Sequence, residues 1–319
     1  MICFHRIRRL GLSLPPEEGS AIPDLSRLSL PAAQPRQQDE YRPDPYYDWV
    51  IDVEPADARV FKTEDVFAIF DGQWRRSFSD ASVYGFSLTS NKWTYALAGG
   101  DPQQFGRLQI AVSLLSEQVS LQDCFDSSAK KIRSYQKSGA TAQVTMSEPV
   151  EAALARSKQL LQLKKELHHD IIVVLKSDNF YPGRVVWDVL TETGLRWGDG
   201  DLFHWNNLPD GYGDDRFFSV WTSTAPGYFF PEAIKAGTFN LADLAFGYWV
   251  GRSADPMGVF EVLLEVADHC RRRLGGVLLG RDGQAFDAAA ERARLQQIVD
   301  GMMSKDLPPG SNKALRLFQ

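Results

Sequence analysis

Trp197-Gly198-Asp199 leads into Leu202-Phe203-His204-Trp205, then into Phe217-Phe218-Ser219-Val220-Trp221, and finally into Lys235-Ala236-Gly237-Thr238-Phe239. Short aromatic runs of strand length alternate here with turns built from glycine and aspartate, the pattern of successive antiparallel strands. Working outward, Ile171-Ile172-Val173-Val174-Leu175 is a β-branched strand, and Val185, Val186, Trp187, Val189 and Leu190 form a 3.6-residue stripe that stops near Gly194. Downstream, Leu244 to Val250 reads as a further strand, and Phe260, Leu263, Leu264, Ala267 and Leu274 mark an amphipathic helix. That helix ends at Gly275-Gly276 before the strand Val277-Leu278-Leu279, and Ala288 to Met302 supplies a last helix. Strand, helix, several antiparallel strands, helix, strand, helix is an α+β order with helices on one face of a sheet.

The same order occurs earlier in the chain. Trp49 to Val53 is a strand, and Val66, Phe67, Ile69, Phe70 and Trp74 form a helical stripe. Tyr84 to Leu88, Trp93 to Ala96 and Leu108 to Leu114 are strands; Leu121, Cys124, Phe125, Ile132 and Tyr135 mark a helix that stops at Gly139, and Ala152 to Leu167 closes the unit. Two tandem units are therefore expected, each an antiparallel sheet with about three helices packed on one face. Residues 1–45, rich in Pro, Ser and Gln, read as a linker; 46–167 and 168–303 as the two units; and 304–319 as a tail.

Composition narrows the function classes. At 319 residues with 44% hydrophobic and 24% charged residues, the chain can bury two ordinary cores. Its 35 basic and 41 acidic residues, a net charge of -6, form no long single-sign run, so a nucleic-acid partner is not expected. Cys3, Cys124 and Cys270 have neither CxxC spacing nor companion histidines, and of the five histidines only His168-His169 are adjacent, so no metal and no cofactor are expected. Nor is there a glycine-rich phosphate loop or a GxSxG turn, which leaves no catalytic residues and no small-molecule substrate to nominate. Phe67-Ala68-Ile69-Phe70-Asp71-Gly72 is similar to the metal-binding strand of PP2C-type phosphatases, but the later acidic motifs are missing and the match is a coincidence. No run approaches the about 20 apolar residues that span a bilayer. The start, with Arg6, Arg8 and Arg9 after a short apolar stretch, has the look of the cytoplasmic edge of a transmembrane helix whose apolar part is missing.

Trp197-Gly198-Asp199, Phe203-His204, Phe218-Ser219, Ala236-Gly237-Thr238-Phe239 and Gly275-Gly276, in this order, resemble the C-terminal, FtsZ-binding domain family of the bacterial division protein ZipA. The resemblance covers Ile171 to Met302; over Tyr46 to Leu167 it rests on element order, which suggests a two-copy member whose second copy is closer to the family. The family does no chemistry. It implies an α+β fold whose bare sheet face holds the C-terminal tail peptide of FtsZ in a hydrophobic groove, and a place at the division septum. As given, the chain is expected to be cytoplasmic; an anchor before Met1 would put it on the cytoplasmic face of the inner membrane.

Carried over position by position, the resemblance puts the peptide contacts on Gly200 and Leu202, Trp221 and Ser223, Phe246 and Tyr248, and Ile172 and Val174. Gly200 and Ser223 stand where flexible methionines are expected, whereas Trp221 and Tyr248 offer larger, stiffer rings. His204 between aromatics reads as a hydrogen-bonded structural residue, and Asp199, Asp201, Asp214 and Asp215 as turn residues. Tyr228, Phe229 and Phe230 are expected to fold back over the groove edge, and Arg271-Arg272-Arg273 to complement a helix C-terminus. In the first unit Ser87, Thr89, Thr94 and Gln109 suggest a solvated face and a supporting role. The alternative is a scaffold whose two sheets pack together, leaving no peptide site.

Overall fold

The computed structural model describes residues 28–31, 41–55, 59–99, 103–116, 120–135, 142–208 and 211–319. They fall into two compact units, Pro35–Glu166 and Leu167–Gln319, and residues 28–31 go with the latter. Most of the expected linker lies outside the described residues. Where it is described, the Ser29 amide donates to the Asp255 carboxylate at 2.8 Å, which ties that part to the second unit.

In the first unit the strands are β1 (Asp48–Pro55), β2 (Phe61–Lys62), β3 (Ala81–Ser87), β4 (Lys92–Tyr95), β5 (Gln104–Ser113) and β6 (Ala142–Met146). The helices are α1 (Thr63–Ile69), α2 (Gly72–Ser77), α3 (Leu121–Tyr135) and α4 (Val150–Leu167). The sheet runs β4-β3-β5-β1-β6, with β2 beside β5, and every pairing is antiparallel. Trp49, Ile51 and Val53 alternate onto the covered face opposite Val112, Ile110 and Leu108, and all six are buried. Val66, Phe70, Trp74, Cys124 and Ile132 bring the helices into the same core. Asp71 caps α2 by accepting from the Gln73 and Trp74 amides, and Lys131 pairs with it at 2.6 Å and holds its carboxyl below the usual carboxylate range. Its role in the 67–72 fragment is therefore a helix cap.

Of the four polar positions expected to face water in this unit, Gln109 does stand on the open face, where it donates to Asp52 at 2.8 Å. Ser87 is buried and its hydroxyl accepts from the Ser90 amide; Thr89 lies in the turn; and Thr94 pairs with Gly85, in line with Leu108 on the covered side. The open face is instead furnished with rings. Tyr84 packs on Tyr95 at 4.8 Å, Tyr95 on Tyr41 at 5.0 Å, and the Arg107 guanidinium lies 5.0 Å over Trp93.

The second unit is built from β7 (Asp170–Pro182), β8 (Arg196–Trp197), β9 (Phe203–Asn206), β10 (Arg216–Trp221), β11 (Asn240–Trp249) and β12 (Val277–Gly280). Its helices are α5 (Gly183–Glu192), α6 (Pro231–Ala236), α7 (Pro256–Leu274), α8 (Ala288–Ser304) and α9 (Asn312–Leu317). The strand order is β12-β7-β11-β10-β9-β8, again antiparallel throughout. Three strands at one edge of each sheet, β6-β1-β5 and β12-β7-β11, follow the same path. Beyond them the threading differs: β10, the later strand of its pair, lies beside β11, whereas in the first unit the earlier strand β3 lies beside β5.

The ending differs from the expected tail. Leu307, Ala314, Leu317 and Phe318 are buried, Ser311 caps α9 through the Ala314 amide, and the Gly310 amide bonds the Gly251 carbonyl at 3.0 Å. Apolar side chains in a short ending gain more from an adjacent hydrophobic surface than they lose in chain entropy. Among the described residues, no helix is long and apolar enough to cross a membrane.

Phe246 is fully buried in the second core. Phe246→Ala is expected to cost about 3–5 kcal/mol, read in the full chain as a lower denaturant midpoint by tryptophan fluorescence.

Candidate functional site

Strand parity decides which side chains of the second unit can meet a partner. In β7, Ile171, Val173 and Leu175 are fully buried, while Ile172 and Val174 are half-buried. Directly paired residues share a face, so the register carries this division across the sheet. Tyr248, Phe246 and Leu244 pair with Ile171, Val173 and Leu175 on the helix side; Gly247 and Ala245 pair with Ile172 and Val174 on the open side. On the next strand Ser219 and Trp221 oppose Gly247 and Ala245, and His204 then opposes Ser219.

Four of the eight expected contact residues stand at this open face. Ile172, Leu202 and Trp221 line one groove with Ser219, Gly247 and Trp249, and Val174 shares their parity. The groove encloses about 540 Å³, within the about 300–1,000 Å³ of sites that take a drug-sized group, so it suits a few side chains of a peptide. Its floor depends on Gly247. A Cβ built there would lie 2.8 Å from the far edge of the Trp221 indole, so the ring lies across a strand position that has no side chain.

The other four are placed differently. Phe246 and Tyr248 are on the opposite, helix-covered face: Phe246 is fully buried, and Tyr248 is 7% exposed with its hydroxyl donating to the Pro256 carbonyl at 2.6 Å. Burial raises the Tyr248 pKa well above its ordinary value, as expected of a hydroxyl inside the core. Phe246 is therefore not part of the groove, Tyr248 lines it while its side chain is turned to the helix side, and the outward positions of β11 are Ala245, Gly247 and Trp249. Gly200 sits in the Asp199–Asp201 turn at φ 66°, a left-handed conformation that glycine adopts freely. Ser223 is committed to Asp243, which accepts from its amide at 2.7 Å and its hydroxyl at 2.5 Å.

Phe229 of the aromatic loop is also placed differently from its expected position over the groove edge. Phe229 is fully buried and packs edge-on against Phe203 at 5.0 Å, and its carbonyl accepts from the Trp197 indole. Phe203 shares the covered parity with Val220, so this ring strengthens the helix-side core. Arg271 pairs with Asp268 at 2.8 Å and Arg273 with Glu192 at 3.5 Å, leaving the arginine run engaged locally.

His204 is 3% exposed. Its Nε2 lies 2.7 Å from the Asp199 carbonyl and its Nδ1 2.8 Å from the Ser219 hydroxyl. A carbonyl can only accept, so Nε2 carries the proton; burial disfavours the charged ring, and in the neutral form Nδ1 accepts from the Ser219 hydroxyl. Burial is the main cause of its lowered pKa. At the rim, Arg216 pairs with Asp199 at 2.5 Å. Burial also raises the Cys124 thiol to about 12 and raises Cys270, so neither described cysteine is a thiolate at neutral pH.

Residues 168–297 match the family described as ZipA, C-terminal FtsZ-binding domain. The chain is 25% identical over 138 residues to the cell division protein ZipA of Pseudomonas aeruginosa, covering 41% of this chain and 44% of that protein. It is 27% identical over 130 residues to ZipA of Ectopseudomonas mendocina, with coverage of 41% and 46%, and 23% identical over 128 residues to ZipA of Actinobacillus succinogenes, with coverage of 40% and 36%. The matched segment spans less than half the length of each of these relatives.

Because the folded pKa of His204 is depressed, the unfolded chain binds more protons below the ordinary histidine value of about 6.5. Its contribution to stability is present above that value and is lost as pH falls through it toward the folded value. The denaturant midpoint is expected to fall between about pH 7 and pH 5, with a shallower slope in His204→Gln; an equal slope in both proteins counts against a neutral buried ring.

Proposed function

We propose, from the match of residues 168–297 to the ZipA C-terminal, FtsZ-binding domain family, that the open face of the second sheet binds the C-terminal tail peptide of FtsZ and that the chain is a non-enzymatic adaptor in septum assembly. The observation that carries this reading is the apolar floor on the open face, where Ile172, Leu202 and Trp221 converge in a groove lined, among the described residues, by strands and the loops between them. An open sheet face exposed to water is ordinarily polar at alternate positions. Apolar residues in those positions gain when a peptide's apolar stripe covers them.

The floor is stiffer than one built from methionines. Trp221 has two side-chain torsions and is seated on Gly247, so it offers a fixed plane rather than an adaptable surface. Less conformational entropy is lost when a peptide docks on such a plane, and fewer peptide shapes fit it. The first unit fits a different, supporting role: on its open face Tyr41, Tyr84 and Tyr95 pack on one another.

Titration of a labelled FtsZ C-terminal peptide, followed by fluorescence anisotropy, tests the reading. Trp221→Ala and Leu202→Ala are each expected to weaken binding about tenfold. Tyr248→Phe, which removes only the buried hydroxyl, is expected to cost about 0.5–1.5 kcal/mol of stability while leaving peptide affinity within about twofold. No binding at high-micromolar peptide would sink the proposal, and a large affinity loss in Tyr248→Phe at unchanged stability would move the site off this face.

A further inference from the structure

The family match ends at residue 297, but the chain continues to Gln319 and packs at one end of the groove. Phe318 seats its ring directly on Gly251, where any Cβ would collide with it, and its carbonyl accepts from Arg252 Nη1 at 3.1 Å. Arg252 also holds the Asp214 carboxylate through two nitrogens at 2.7 and 3.1 Å, and Asn207 Nδ2 holds the Asp214 carbonyl at 2.9 Å. Residues 250–253 are thus fastened to the segment around Asp214 by the Arg252–Asp214 pair, and Phe318 buttresses Gly251 and Arg252 from behind. Asp214, Arg252 and Ser253 line the same groove as Trp221.

Two features at this end lack the partners that their chemistry calls for. Trp249 is an apolar ring left 47% exposed at the groove lining. It is backed by His168 edge-on at 4.9 Å, and His168 in turn lies 6.2 Å from the Phe318 ring. Ser253 is 3% exposed, lines the groove, and its hydroxyl has no hydrogen-bond partner among the described residues. Buried hydroxyls are ordinarily satisfied, and leaving one unpaired is costly. Arg252, by contrast, is engaged by Asp214 and the Phe318 carbonyl, so it is not a spare cation that would select an acidic side chain.

We infer that residues 306–318 build an end subsite of the peptide groove, in which Trp249 takes an apolar side chain of the bound peptide and the Ser253 hydroxyl donates to a peptide carbonyl. This rests on the FtsZ-peptide reading. Trp249 supplies a flat apolar plane in the same groove as Trp221, and a peptide crossing the sheet brings carbonyls past Ser253 that the strands do not already use. The C-terminal segment acts as a positioning element, through Phe318 and His168, rather than as a contact surface.

The test uses the full chain and the labelled FtsZ C-terminal peptide. Trp249→Ala is expected to weaken binding about tenfold and Ser253→Ala about fivefold, both with unchanged denaturant midpoints. Phe318→Leu keeps an apolar contact on Gly251 but removes the ring beside His168, and is expected to weaken binding about threefold. If the unmodified chain binds while Trp249→Ala and Ser253→Ala both bind within about twofold of it, the subsite is overturned and the groove reading stands. If those two are weakened but Phe318→Leu is not, the building role of the C-terminal segment is overturned. Absence of binding by the unmodified chain overturns both readings.

Discussion

The pairing of β7 with β11 is the constraint on which the second unit depends. Phe246 opposite Val173 and Tyr248 opposite Ile171 commit one parity to the helices, and the same register leaves Gly247 opposite Ile172 on the other side. Shifting that register by one residue would bury Gly247 and expose Phe246. The cost of exposing two large rings holds the register in place, and the groove is its geometric consequence. A glycine that would weaken an ordinary strand is tolerated because the indole of Trp221 fills the space above it.

Much of the fold was legible because turns and periodicity act locally. Helix stripes ending at Gly194 and Gly275, and the strands between them, follow from backbone preference and side-chain spacing. The site was less legible because β11 is apolar or small at both parities from Leu244 to Tyr248, so the strand alone does not say which residues face outward. The usable signal lay in its neighbours. His204 and Ser219 are polar on one parity, and Gly247 and Ala245 are small on that same parity; together they mark the open face. Gly200 and Ser223 were hidden for another reason. Their roles depend on a left-handed turn and on Asp243, a partner distant in sequence.

The two units show how one strand frame supports different surfaces. Both place a long central strand between two neighbours, with helices over one side. In the first unit, cross-strand tyrosines cover the outward face and a glutamine–aspartate hydrogen bond sits beside them. Those contacts are made between residues of the unit itself. Among the described residues, the second unit leaves Ile172, Leu202 and the Trp221 plane lining an open groove.

A groove of this kind needs walls as well as a floor. The floor comes from strand parity, but a sheet edge alone does not stop a peptide from sliding along it. The polar fastening of Asp214 to Arg252, and of Arg252 to the Phe318 carbonyl, costs little exposed charge because each group is already paired. In the proposed subsite, residues 306–318 would rigidify one end of the open face through these contacts. Pre-ordering that end before a peptide arrives reduces the entropy lost on binding, which is how a segment that makes no contact with a ligand can still set how tightly the ligand is held.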